Sequence, residues 1–349
     1  MQNLDEALKL MFEGTGLEAV VKNNTIVIKK IEGKGTVLEP ISVNESYKNG
    51  TAENGYLSED ITGVGLWGKR SLQDTPYSMT VISNDLIENS LAKDMNQIFK
   101  MNSTTQETAT KSAPASDSFL PVIRGFNPRI LVNGIPHSMA YRSTPIMQSI
   151  EKVEIINGAT GFLYGGGRVG GAVNYITKKP TLEDLRSVTI GSYGDESYFS
   201  NIDLGGQFDN NHTFGYRVNA LYQNGELPST TNTEQKAISF VFDWKPTDNF
   251  YTDIKYSHKD LFEKGANTVF NSVTNRPIIK NQSYSPDWIE NEVKSDIVEN
   301  SVNWNINDIF TLRTNLSYEK TKHRGDSLDV VLKDNIALQN PTNYWRGTS

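Results

Sequence analysis

The pattern most suggestive of chemistry is Gly165-Gly166-Gly167-Arg168-Val169-Gly170-Gly171. Glycine-rich runs cradle phosphates when backbone N–H groups converge at a helix start and a Lys-Ser/Thr pair follows. Here no such pair follows, and glycine spacing alone is a weak sign of nucleotide binding. The four histidines are scattered, which speaks against a His-rich metal centre, and cysteine is absent. Disulfides and thiolate metal sites are therefore excluded. No nucleophile–base pair accompanies the run, so an enzyme reading has little to stand on.

The elements that hold this run are two short alternating strands, residues 152–156 and 172–177, with a small-residue segment at 157–163 between them. Lys178-Lys179-Pro180 stops the second strand. So many glycines between two strands imply positive φ and close backbone approach, which makes the run a packing device.

Composition narrows the classes. The 349 residues suffice for two or more domains, and a net charge of −7 provides no basic field for nucleic acid. No apolar run reaches the ~18–20 residues a spanning helix needs. A mean hydropathy of −0.48 still permits a β-barrel, whose lipid face hides in alternating residues. The start, MQNLDEALKL, shows neither the basic nor the apolar region of a signal peptide.

In chain order, Leu4, Ala7, Leu8 and Met11 predict an amphipathic helix over 3–13, stopped by Gly14 and Gly16. Residues 17–21 and 25–29 read as a hairpin. This unit is too small to hold a core alone, so the expectation is the tail of a domain whose front half is missing. Residues 31–69 read as a linker containing a β-prone island, Leu38, Glu39, Pro40, Ile41, Ser42 and Val43. The island is either a stray extended segment or a peptide that adds to a partner's sheet. A mixed domain follows, with a strand at 79–83 and a helix at 86–89 capped by Asn84 or Asp85. A second helix spans 95–99, and 102–118 is a loop. Paired short strands at 122–126 and 130–132 precede the Asn133-Gly134 turn. A loop covers 135–144, and Pro145 opens a helical turn at 146–150.

From residue 187 the period becomes two. Phe214, Tyr216, Val218, Ala220 and Tyr222 form one face, opposite Gly215, Arg217 and Asn219. Similar faces recur from 198, 238, 250, 298 and 310, and an initial strand at 188–193 makes about seven. Tight turns are expected at 207–212, 246–248 and 305–308, and long polar loops at 224–235 and 263–292. Short turns at one rim, long loops at the other and an apolar exterior describe an outer-membrane barrel. Trp244, Phe250, Trp304 and Phe310 flank the short turns, where an aromatic girdle belongs. A soluble β-sandwich explains the alternation but neither the short–long order nor the girdle. Seven strands do not close around a domain of about a hundred residues, so truncation at both ends is expected.

Together these motifs resemble the TonB-dependent outer-membrane receptors of the ferric-siderophore type. Residues 74–83, DTPYSMTVIS, are similar to that family's plug-opening segment, and Arg124-Gly125-Phe126 with Val132-Asn133-Gly134-Ile135-Pro136 to its central strands. Glu151-Lys152-Val153-Glu154-Ile155 and residues 158–180 resemble its most recognisable block. Gly191-Ser192-Tyr193-Gly194 with Tyr216-Arg217 resembles the first barrel strands. Asn157 departs from the pattern, since the family usually carries arginine before Gly158; an arginine–glutamate cluster that helps seat the plug is then incomplete.

The resemblance implies a mainly β fold. A partial α/β signalling domain (1–30, the secretin/TonB short N-terminal domain) precedes a linker (31–70) with the TonB box at Leu38–Val43. An α+β plug (71–182) and the first strands of a transmembrane antiparallel β-barrel (183–349) follow. It implies a non-enzymatic receptor in the Gram-negative cell outer membrane, with no covalently bound cofactor. That receptor binds a ferric siderophore and imports it with energy from TonB, and it signals to an anti-sigma regulator. Cobalamin, haem or a glycan is the alternative cargo. Ligand contacts are expected from His137, Met139, Tyr141 and Arg142, with Arg142 pairing an anionic chelate and Tyr141 stacking on it. Arg124, Glu151 and Glu154 are expected to seat the plug on the barrel wall.

Overall fold

The computed structural model describes residues 12, 17–22, 25–30, 49–61, 70–92, 94–107, 121–137, 145–166, 168–228, 230–265, 268–272, 286, 288–333, 336–339 and 345–348. The chain divides into two units, Met1–Tyr47 and Lys48–Ser349. In the first, β1 (Leu17–Lys22) and β2 (Thr25–Lys30) form the expected antiparallel hairpin. Apart from Phe12, the expected helix over 3–13 lies outside the described residues, as does the island from Leu38 to Val43.

In the second unit β3 (Asp60–Ile61) pairs with β4 (Arg70–Ser71), and β5 (Met79–Ser83) runs directly into α1 (Asn84–Asn89). The cap of α1 is Ser83, not Asn84 or Asp85. Ser83 keeps extended φ/ψ while its hydroxyl accepts from the Leu86 N–H at 3.4 Å; Asn84 is already helical. Asp94 caps α2 (Met95–Lys100), accepting from Gln97 N–H at 3.1 Å.

Next come β6 (Thr105–Glu107), β7 (Pro121–Ile123), β8 (Arg129–Val132), β9 (Ile135–Pro136), β10 (Ile150–Asn157), α3 (Gly161–Tyr164) and β11 (Gly171–Thr177). A five-stranded sheet has the order β5-β10-β11-β8-β9, with β8 parallel to β11. The two short strands expected to pair with each other therefore part company: β7 joins β6, and β8 joins β11. Non-local pairing decides this, because β11 offers β8 a fully buried neighbour that β7 does not. One face of the sheet packs Ile82, Val153, Ile155, Val173 and Tyr175 against Ile87, Ile98 and Phe99. The other packs Leu131, Ile156 and Ala172 with Ile61 and Leu163.

The long strands are β12 (Leu185–Gly191), β13 (Tyr198–Gln207), β14 (Phe214–Glu226), β15 (Asn232–Thr247), β16 (Phe250–Lys264), β18 (Glu290–Asn305) and β19 (Thr311–Lys333). They form an antiparallel meander of the expected seven strands. Between β16 and β18 lies β17 (Thr268–Ser272), parallel to β19. β20 (Ile336–Gln339) and β21 (Trp345–Thr348) also pair with β19. The long loop expected at 224–235 shrinks to residues 227–231, because β14 and β15 continue through polar residues with an unbroken register to Glu226↔Asn232. Backbone pairing outlasts the apolar alternation that marks a strand in sequence.

Burial separates the two faces as expected. Tyr222, Phe240, Trp244, Ile254, Val298 and Leu316 are exposed, whereas Arg217, Asn219, Ser239, Asp253 and Ser295 on the opposite face are buried. The girdle is continuous: Phe214–Trp244, Trp244–Phe250 and Phe250–Trp304 have ring centroids 6.3, 5.7 and 6.1 Å apart. Among the described residues no helix is long and apolar enough to cross a membrane, which does not bear on crossing by strands.

Candidate functional site at the plug and barrel junction

The glycine run resolves into packing at its end. Gly170 lies so close to Phe126 that a Cβ would stand 2.6 Å from its carbonyl oxygen. Gly171 has φ +124°, and a Cβ there would overlap the Ile156 carbonyl. Only glycine lets β11 start beside the end of β10.

Inside the plug, Glu154 and Asn174 face each other across β10 and β11. Glu154 is 0% exposed; its Oε2 accepts from Asn174 Nδ2 at 3.0 Å, and Oε1 is 3.3 Å from Lys152 Nζ. Asn174 Oδ1 in turn accepts from the Gly134 N–H at 2.9 Å. This network ties the Asn133-Gly134 turn, with φ of 50° and 82°, to the sheet.

The junction itself is built where Lys178 leaves β11. Its Nζ lies 2.8 Å from Asp203 Oδ2 on β13 and 2.9 Å from Glu88 Oε1 on α1. Arg217 on β14 grips the same Asp203, Nε to Oδ1 at 2.6 Å and Nη2 to Oδ2 at 2.7 Å. The side chains of Lys178, Asp203 and Arg217 are 2%, 7% and 8% exposed, against 57% for Glu88. Two cations and two anions thus form a neutral quartet joining plug to wall. The chain then crosses the inner face of the wall. Lys179 Nζ sits 4.9 Å from the Tyr251 ring centroid. Gln207 Nε2 donates to Thr181 O at 2.8 Å. Pro180 passes over Gly215, where a Cβ would come within 2.6 Å of Pro180 Cβ.

Of the residues predicted as ligand contacts, His137 lies at the end of β9, where its N–H donates to Ile130 O at 2.9 Å. It lines a cavity of about 50 Å³ with Ile146, Ser149 and Thr177 of the plug and Val241 and Lys255 of the wall. Met139, Tyr141 and Arg142 lie outside the described residues. Of the predicted seating residues, Arg124 and Glu151 are exposed, and the partners named above for Glu154 lie within the plug. Asn157 is buried and bound to the opening segment, its N–H donating to Ser78 O at 2.9 Å and its Nδ2 to Ser78 Oγ at 3.3 Å. Sequence reasoning missed Glu88 and Asp203. The signal for Asp203 was its inward parity on β13, one diagonal step from the inward Arg217 of β14.

A compact α+β plug seated by a polar quartet against an open meander of amphipathic antiparallel strands is the architecture of part of a plugged β-barrel. Residues 71–172 match the family model "TonB-dependent Receptor Plug Domain". The ferric-pyoverdine M114 receptor PbuA of Pseudomonas sp. (strain M114) is 28% identical over 227 residues, 61% of this chain and 26% of that protein. The ferrichrome outer membrane transporter/phage receptor of Escherichia coli (strain K12) is 23% identical over 273 residues, 74% of this chain and 36% of that protein. Among solved structures, BauA, the ferric preacinetobactin receptor from Acinetobacter baumannii, superposes with a TM-score of 0.70 at 22% identity, covering 81% of this chain and 44% of that one. The ferripyoverdine receptor of the Pseudomonas aeruginosa outer membrane, bound to ferripyoverdine, gives 0.69 at 20% identity, covering 99% and 45%. Residues 71–172 therefore form a plug domain of the kind found in TonB-dependent receptors, and the remainder of the chain shares the fold of those structures. The chain spans less than half the length of the relatives it matches.

Proposed function

We propose that the protein carrying this chain is an outer-membrane receptor that binds a ferric siderophore outside and imports it when TonB pulls on the plug. The observation that carries this reading is the junction: a tightly packed plug held to the wall by a neutral polar quartet, on strands whose other face is apolar. Such a plug keeps a wide barrel selective yet leaves it openable. The ferric-pyoverdine and ferrichrome receptors among its relatives support iron chelates as cargo; cobalamin, haem or a glycan is the competing class. In this reading the plug spans 71–182 and the barrel begins at 183. The linker 31–70 presents residues Leu38 to Val43 to TonB as an added strand. Residues 1–30 contact an anti-sigma regulator. His137, Met139, Tyr141 and Arg142 meet the chelate, with Arg142 supplying the charge-assisted contact. Arg124, Glu151 and Glu154 support the seated plug, and no catalytic step is assigned.

The test is a binding panel on the whole receptor: ferric hydroxamate and catecholate chelates, cobalamin, haem and oligosaccharides, read by tryptophan fluorescence. Saturable binding confined to a ferric chelate, weakened by Arg142→Ala, is expected. Binding only of a non-iron cargo overturns the substrate, and unchanged affinity in Arg142→Ala overturns the contact. Ile41→Pro is expected to stop uptake while leaving binding intact, because proline cannot donate to an added strand.

A further inference from the structure

α1 ends at Asn89, and two residues further on Leu91 takes φ +51°, the left-handed region that a bulky side chain enters only under constraint. Leu91 is 60% exposed, so burial of its own side chain does not hold it there. Strain of this kind clusters at ligand sites, where the surroundings over-determine it. Leu91 stands at a cavity of about 80 Å³ between α1, the single turn Met147–Ser149 and the first two long strands, β12 and β13. A water takes about 30 Å³ in the liquid, so roughly three waters or one short-chain molecule fill it.

Two side-chain amides in the lining are short of a partner. Gln148 and Asn201 both border the cavity, and the amide oxygen of each is buried without a hydrogen-bond partner among the described residues. An orphan buried acceptor is costly to keep. An amide exchanges its oxygen for its NH2 by turning about one bond, so a donor in the cavity can satisfy either residue. Glu88 is the one charged group among the described residues of the lining. Lys178 takes its Oε1, and its other oxygen accepts no hydrogen bond among the described residues. Tyr193 and Phe199 add aromatic surface as a stacked pair, ring centroids 4.4 Å apart.

We propose that this cavity binds the ammonium end of a short-chain primary amine. The charged N–H group meets Glu88 and the two amides, the alkyl part lies against Ile87 and Met147, and the aromatic pair favours a cation beside it. An alcohol of the same length lacks the charge for Glu88, and a carboxylate meets it with like charge. Because α1 belongs to the plug and Phe199 and Asn201 to the wall, an occupant bridges the two and stabilises the seated arrangement by mass action. None of the residues assigned to the chelate borders this cavity, so either reading can fall without the other.

The test titrates n-propylammonium chloride, 1-propanol and sodium propionate, at matched ionic strength, onto the whole receptor in zwitterionic detergent. Binding is read by saturation-transfer NMR of the probe, and its effect on the plug by amide exchange over residues 84–92. Saturable propylammonium binding with a Kd on the order of 1 mM is expected, about ten-fold tighter than propanol, with propionate silent and exchange in α1 slowed. Asn201→Leu should weaken the amine about ten-fold, the loss of one charge-assisted contact. Glu88→Gln should bring amine and alcohol level. The control is Glu292→Gln, an acid on the outward face of β18, which should change nothing. Equal binding of propanol and propylammonium to the wild type overturns recognition of the charge. No saturable binding of any probe leaves the cavity to water and overturns the site, and a control that loses as much as Glu88→Gln overturns it too. Thr189→Leu, at an exposed position of β12 on the cavity, keeps the question answerable if Asn201→Leu does not fold. Undiminished amine binding in that variant overturns the site.

Discussion

The Lys178–Asp203 junction yields the sharpest prediction. Asp203→Asn removes the anion shared by Lys178 and Arg217, both more than nine-tenths buried. Two cations then face each other without their common partner. Breaking a buried pair from one side typically costs about 3–5 kcal/mol, because the charge left behind stays desolvated. Glu88→Gln removes a carboxylate that is 57% exposed and contacts only Lys178 in this cluster. Its loss should cost no more than about 1 kcal/mol, the range of exposed pairs. The asymmetry follows from connectivity: Asp203 receives three hydrogen bonds here, from Lys178 and twice from Arg217, whereas Glu88 receives one from Lys178. The assay is chemical unfolding of the whole receptor, together with amide exchange across residues 178–181. Asp203→Asn should lower stability by several kcal/mol and speed exchange in that segment; Glu88→Gln should do neither. An Asp203→Asn protein within about 1 kcal/mol of wild type would refute the seat. So would a Glu88→Gln protein that is equally destabilised.

Three further outcomes follow from the plug and the turns. Gly171→Ala should destabilise on the order of 2–3 kcal/mol, since alanine meets both a φ of +124° and the Ile156 carbonyl; thermal unfolding checks this. Tyr175 is fully buried, its hydroxyl has no hydrogen-bond partner among the described residues, and burial holds its ionisation above the ordinary tyrosine range. Tyr175→Phe should therefore be neutral or stabilising by about 1 kcal/mol, and should reduce the loss of stability above pH ~10, where the unfolded phenol ionises and the folded one does not. In the β13–β14 turn, backbone N–H groups of Phe214 and Thr213, at 3.0 and 2.9 Å, hold the Asp209 carboxyl below its ordinary value. That contribution is present above the unfolded pKa and lost as pH falls through the lower folded one, so Asp209→Ala should flatten the acid limb of stability, measured by unfolding between neutral pH and pH ~2.

Local signals carried much of this fold. The two-residue period placed Phe214 to Tyr222 outward and Arg217 and Asn219 inward, because a strand's side chains alternate whatever the partner. Met79–Ser83 and the Asn133-Gly134 turn were equally legible, since strand propensity and turn chemistry are local. Strand ends were not. Glu226 and Asn232 carry no apolar pattern, yet the ladder extends through them, because backbone pairing asks nothing of the side chains once register is fixed. Nor was the partner of β8, which crosses to β11 some forty residues on. The junction was least legible of all. Residues 88, 178, 203 and 217 share no spacing, and although parity turns Asp203 and Arg217 inward, nothing in the sequence says which charges they meet. Sequence alone determined where the seven long strands lie, which way their faces point and which family's motifs the chain resembles; the short strands β3, β4, β6, β9, β17, β20 and β21 lie in stretches read as linker or loop or given no strand. Tertiary structure alone decided which charges meet in a dry place, because burial and distance, which set the worth of a charge pair, are properties of the folded chain.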